Sequence, residues 1–169
     1  MRKLFLFPLF LLFVFLTSHF ETAQAQELTT FILVRHAEKV DDGTKDPALN
    51  DEGELRAQRL ANHLGNTSLT AIYSTPYRRT QSTVRAIAET HNLEIQSYDP
   101  FADNVLDTML ESNRGGIILI SGHSNTTPHL VNTLIGNDKL EQLKESDYDN
   151  LFIVTVSEIG QGKLIRLTY

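Results

Sequence analysis

Two histidines and two arginines each stand just after an apolar run, and together they could handle a phosphoryl group. Val34 gives way to Arg35-His36-Ala37-Glu38-Lys39, and Tyr73 to Ser74-Thr75-Pro76-Tyr77-Arg78-Arg79-Thr80. Ile120 gives way to Ser121-Gly122-His123-Ser124-Asn125-Thr126. An arginine fork matches phosphate oxygens in pairs and stays charged at any physiological pH. A neutral imidazole can attack phosphorus and leave again, dividing one hard displacement into two easier ones. Neighbouring guanidinium groups lower the pKa of such an imidazole and keep it nucleophilic. Phosphoryl transfer needs positioning and charge stabilisation more than acid strength. His36 is the candidate nucleophile. Arg35, Arg79 and His123 are candidate phosphate contacts, and Asn125 and the amides of a helix starting near Thr126 are further donors.

Side chains so distant in the chain need a scaffold that gathers them. Thr29 to Val34 reads as a buried strand, followed by a polar loop with Asp41-Asp42-Gly43 and Asp46-Pro47 as turn chemistry. A helix is expected from Asn50 to Leu64, with Asn50 as its cap. Leu69 to Tyr73 is a second strand, Arg78 to Thr90 a second helix, Leu93 to Ser97 a short strand and Ala102 to Asn113 a third helix. Ile117 to Ser121 is the most continuous apolar strand, and Thr126 to Ile135 a fourth helix. A charged linker, expected to be exposed, leads to strands at Leu151 to Val156 and Lys163 to Thr168 around a Gly160-Gln161-Gly162 turn. Alternating strands and helices imply a three-layer α/β/α sandwich with a mixed, mostly parallel central sheet. In such sheets ligands settle beyond the carboxyl ends of the strands, where the three motifs lie.

Arg35-His36-Ala37-Glu38 resembles the signature of the histidine phosphatase superfamily, the phosphoglycerate mutase-like proteins. Thr75-Pro76-Tyr77-Arg78-Arg79-Thr80 is similar to that family's second-arginine motif, whose register selects Arg79 over Arg78. Gly122-His123-Ser124-Asn125-Thr126 resembles its second-histidine motif, and Asp46-Pro47-Ala48-Leu49 with Gly53 the stretch opening its first helix. The resemblance runs from about residue 30 to 135, with three motifs in family order. It implies a phosphoglycerate mutase-like fold, His36 as the phosphorylated nucleophile, and Arg35, Arg79 and His123 as the phosphate pocket. The spacing of the motifs resembles the short branch that includes the phosphohistidine phosphatase SixA. The absence of long insertions favours hydrolysis over mutase activity.

Relatives acting on alkyl phosphates commonly use a carboxylic acid, often a glutamate between the second and third motifs, to protonate the leaving oxygen. No glutamate stands here in such a context. Asp99 and Asp103 lie in the right interval and are the candidate general acids, although Asp99-Pro100 is also turn chemistry and Asp103 also suits a helix N-terminus. If neither serves, leaving groups that depart without a proton, such as phosphohistidine or an aryl phosphate, would be preferred. Glu38 and Lys39 fit either substrate contact or a loop ion pair. His63, His91 and His129 are assigned no chemistry. His123 and His129 are six apart, unlike the four-residue spacing of helical zinc pairs, so neither a metal nor a cofactor is expected. A phosphotransferase of the mutase kind and a non-catalytic phosphate-binding domain remain alternatives.

The chain has 169 residues, 41% hydrophobic and 21% charged, without cysteine. That composition suits a globular domain and excludes disulfides, thiolate metal sites and a thiol nucleophile. Arg2 and Lys3, the apolar run from Leu4 to Leu16, and Ala23-Gln24-Ala25 read as a cleavable signal peptide over residues 1–25. Residues 26–169 would then form one domain, exported to a periplasmic or secreted location. Without Arg2, Lys3 and Glu21 the chain keeps 13 basic and 20 acidic residues, a net charge of −7. Such a surface repels nucleic acid and anionic membranes. The expected partner is a small phosphorylated substrate, with no stable membrane association after cleavage.

Overall fold

The computed structural model describes residues 27–169, so the signal-peptide reading lies outside the described residues. Strands β1 (Thr29–Arg35), β2 (Ala71–Ser74), β3 (Ile95–Ser97), β4 (Ile117–Gly122), β5 (Asn150–Val156) and β6 (Lys163–Thr168) form one sheet. Its order is β3-β2-β4-β1-β5-β6. The pairs β3–β2, β2–β4 and β4–β1 are parallel, whereas β1–β5 and β5–β6 are antiparallel. Helices α1 (Asp51–Leu64), α2 (Arg78–His91), α3 (Val105–Ser112) and α4 (Thr126–Ile135) complete the fold.

Strand periodicity explains the layers. Ile32 and Val34 of β1, Ile72 of β2 and Leu119 of β4 project to one face, against Leu60 and Leu64 of α1 and Val84 and Ile87 of α2. Phe31, Leu33, Ile118 and Ile120 project to the other, against Leu106 and Leu110 of α3 and Leu130 and Leu134 of α4. Strands covered on both faces read as continuous apolar runs, which is why β1 and β4 stand out in the sequence. The expected sandwich and mixed sheet are present.

Local chemistry sets the helix ends. Asn50 Oδ1 accepts from the Gly53 amide at 2.9 Å, and Asp51, Glu52 and Glu54 complement the first turn of α1. Gly53 lies against the Glu38 backbone so closely that a Cβ would collide with the Glu38 carbonyl oxygen. Helix α3 starts at Val105, three residues later than expected from sequence. The preceding residues fold into turns instead: Asp99 Oδ1 accepts from the Phe101 amide at 2.9 Å, and Asn104 sits in the left-handed region with φ 58°. Asp103 therefore lies before the N-cap position rather than capping the helix.

Parallel pairing places three strand ends on one edge. Arg35 pairs with Gly122, and Ser74 with Ser121. The ladder continues for one bond beyond β1, where the His36 amide donates to Gly122 O at 2.9 Å. The Thr75 amide donates to Ser121 O at 3.4 Å, so all three motifs leave the sheet side by side.

Candidate active site

His36 and His123 meet at that edge with ring centroids 5.4 Å apart and planes at 68°. Arg79 Nη2 lies 3.5 Å from His123 Nδ1, whereas Arg78 is exposed. The geometry thus brings Arg79, not Arg78, to the histidines. Asp46 fixes this register by accepting from the Arg78 amide at 2.9 Å and lying 3.7 Å from Arg79 Nη1. Arg35 is 1% exposed beside His36. Asn125 is exposed at the start of α4 and lines the same cavity as Arg79 and His123.

Hydrogen bonding assigns the proton on each ring. His36 Nδ1 lies 2.8 Å from the Ala37 carbonyl, which can only accept, so Nδ1 carries the proton and Nε2 keeps the lone pair. The Thr80 hydroxyl donates to the carbonyls of Thr75 and Tyr77, each at 2.9 Å. Thr75 in turn donates to Thr80 Oγ1 at 3.0 Å. With its one proton committed, Thr75 Oγ1 must accept from His123 Nε2 at 3.0 Å. His123 therefore turns its Nδ1 lone pair toward Arg79.

Burial disfavours charge on both rings. It lowers His36 to about 3, aided by Arg35, His123 and Arg79, while the bond to Ala37 O opposes the shift. Burial followed by Arg79 and Arg35 lowers His123 to about 4. Both imidazoles are neutral at pH 7, and the pair offers an unprotonated nitrogen beside two fixed cations.

The charged linker does not stay clear of the site. Asn132 holds it through the Leu140 amide and carbonyl, at 2.9 and 2.8 Å, and Leu143 is buried. Arg35 Nη1 donates to the carbonyls of Lys144 and Glu145, at 2.8 and 3.2 Å. Its Nη2 donates to the Glu145 carboxylate at 2.9 Å. Tyr148 covers the guanidinium at 4.1 Å and lies 6.1 Å from the His36 ring. Arg35 Nε remains buried without a partner. No pattern in the linear chain announces this return, because the contacts to Arg35 are mostly made by main-chain carbonyls. Thr75 and Thr80 were visible within their motif, but their roles depend on a hydroxyl chain that spacing does not reveal.

A cavity of about 650 Å³ adjoins His123 and Arg79 and is also lined by the Tyr98–Phe101 segment. The structure separates the two candidate acids. Asp99 lines this cavity, exposed and holding its turn, while Asp103 lines a different cleft with His129 and Thr133. Glu38 is engaged by Arg56 of α1 through three contacts of 2.7–3.0 Å, which is the ion-pair alternative. Among the described residues no three His, Asp or Glu side chains are grouped to hold a metal ion.

Residues 31–104 match the profile of the histidine phosphatase superfamily (branch 1). Over 78 residues, 43% of this chain, the sequence is 40% identical to phosphoserine phosphatase 1 of Hydrogenobacter thermophilus. The matched part spans 37% of that relative's length. The fold is similar to that of the protein histidine phosphatase SixA complexed with tungstate, with a TM-score of 0.68 and 18% identity over 82% of this chain and 96% of that one. It is also similar to phosphoglycerate mutase from Bacillus anthracis, with a TM-score of 0.66 and 11% identity over 85% and 93% of the two chains. Motifs, geometry and profile agree on the histidine phosphatase superfamily over residues 31–104.

Proposed function

We propose that this protein is an exported, metal-independent phosphatase that hydrolyses phosphomonoesters through a phosphohistidine on His36. The observation carrying this reading is the neutral His36 ring, with Nδ1 bonded to Ala37 O, set beside His123 and Arg79. In the first step the Nε2 lone pair attacks phosphorus and the ester P–O bond breaks, its electrons leaving on the alcohol oxygen, which takes a proton from water. In the second, water attacks the phosphohistidine, the P–N bond breaks, and orthophosphate leaves with the imidazole restored. Arg35, Arg79 and Asn125 hold the equatorial oxygens and the two arginines offset their charge, while His123 lies beside them, oriented by Thr75. The buried, unpartnered Arg35 Nε supports an anion there, because an orphaned buried donor costs about 1–3 kcal/mol unless a ligand accepts from it.

Release to water, rather than transfer to a second hydroxyl, is supported by the adjoining cavity. Among its lining residues Arg79 is the one permanent cation, which leaves little to grip a second phosphate. Phosphoserine, named for one relative, is an ester cleaved at P–O by this mechanism. Phosphohistidine, the other relative's group, would be cleaved by the same attack at its P–N bond. Export is supported by Arg2, Lys3, the Leu4 to Leu16 run and Ala23-Gln24-Ala25. Mass spectrometry of the secreted protein is expected to find Gln26 at the mature N-terminus.

The deciding experiment is phosphate release by wild type and His36→Ala, with detection of acid-labile, base-stable phosphate on the protein. The variant is expected to lose at least ~10³-fold in kcat/KM and all of the trapped phosphate. Undiminished turnover in His36→Ala would end the proposal.

A further inference from the structure

We propose that the cavity beside His123 is an aromatic leaving-group site, so that the favoured substrates are aryl phosphates. This deepens the phosphohistidine reading and rests on it. Tyr77 stands at one side of the cavity, its ring edge-on to His123 at 5.1 Å and 4.5 Å from the Arg79 guanidinium. Phe101 lines the same cavity, 66% exposed and with its ring 5.9 Å from His129, and Tyr77 is 39% exposed. Pro76 and Pro100 extend the apolar lining beside each ring. Aromatic side chains left open to water next to a cationic pocket gain from covering by another ring, in stacked or edge-on contact. A ring bonded directly to the phosphate oxygen enters this aromatic part as soon as the phosphoryl group reaches Arg79 and His123.

Charge points the same way. Among the lining residues Asp99 is the one acidic group, and Arg79 is committed to phosphate. A leaving group carrying a carboxylate or a second phosphate would meet Asp99 with no free cation to offset it.

Leaving-group chemistry is a separate argument. Asp99 is exposed and accepts from the Phe101 amide, and the buried Tyr98 hydroxyl donates to Ser121 O at 3.4 Å. Neither is placed as a buried acid poised over the ester oxygen. A phenol has a pKa of about 10, far below an aliphatic alcohol, so its oxygen departs as phenolate when the P–O bond breaks. That phenolate then takes its proton from water, and no protein acid is consumed.

The test compares kcat/KM for phenyl phosphate, benzyl phosphate, phosphoserine and 3-phosphoglycerate on the full chain. Benzyl phosphate keeps the ring but leaves as an alkoxide, which separates recognition from leaving-group ability. Phenyl phosphate is expected to exceed phosphoserine and 3-phosphoglycerate by at least ~100-fold, with benzyl phosphate in between. Phe101→Ala and Tyr77→Ala are each expected to reduce the benzyl-to-phosphoserine ratio by ~10-fold, and Tyr77→Phe to keep it. Thermal melts establish that the variants are folded. Phosphoserine or 3-phosphoglycerate turned over as well as phenyl phosphate, or a ratio unmoved by folded Phe101→Ala, would overturn the assignment. Trapped phosphate on His36 separates the two proposals. If it forms from every ester but fastest from phosphoserine, only the aryl preference fails; if it forms from none, the parent mechanism fails.

Discussion

Thr75 has one hydroxyl proton, and its destination decides what His123 can do. Because Thr80 spends its own proton on two carbonyls, Thr75 must give to Thr80 and accept from His123 Nε2. Thr75 is thus a positioning residue that fixes the tautomer of a ring facing Arg79. Thr75→Val keeps the shape and removes the acceptor. It is expected to lower kcat/KM by ~10–100-fold and to alter the acid limb of the pH profile, while Thr75→Ser restores both. The proposed nucleophile carries a pH prediction of its own. With His36 lowered to about 3, its protonation does not begin near the ordinary imidazole value of 6.5. The His36 phosphorylation rate is therefore expected to hold from pH 7 to pH 5 in single-turnover measurements. The four candidate side chains, Arg35, His36, Arg79 and His123, were legible because each stands in a motif directly following an apolar strand. The tautomers were not, since they depend on hydroxyls and carbonyls shared among separate segments.

Helices and strands were the most legible level, and their errors have physical reasons. Strands β1 and β4 announced themselves by being buried on both faces, and α1 by its Asn50 cap. Helix α3 was read too long because Ala102 and Asp103 suit a helix, whereas the Asp99 turn and left-handed Asn104 hold the backbone elsewhere. The linker before β5 was read as exposed from its charges and is mostly so, but the carbonyls of Lys144 and Glu145 and the Glu145 carboxylate reach Arg35. Packing at the joint between β4 and α4 gives a prediction at this scale. A Cβ on Gly122 would lie 2.9 Å from both Thr126 Oγ1 and Thr127 Oγ1. Gly122→Ala is expected to cost about 1–3 kcal/mol in urea unfolding, typical of an overpacked site. It should also displace His123, whose amide donates to Thr126 Oγ1, and so reduce turnover more than a remote substitution of equal cost.

Over the whole molecule, the price of keeping two imidazoles dry is paid in acid. Both folded-state values, about 3 for His36 and about 4 for His123, lie below the 6.5 of an unfolded chain. Between those limits the unfolded state binds more protons, so stability falls as the pH drops from about 6.5 toward 4. Urea midpoints at pH 7 and pH 5 should show this slope, and His123→Gln should flatten it. The pocket also spans the chain from end to end. Arg35 leaves the first strand, but its guanidinium is held by carbonyls more than a hundred positions later. A polypeptide that folds as it emerges can have every signature residue in place and still lack the clamp on that guanidinium. Catalytic competence should therefore arrive late, with the docking of residues 144–148, so that the emerging chain stays silent until its final third has settled.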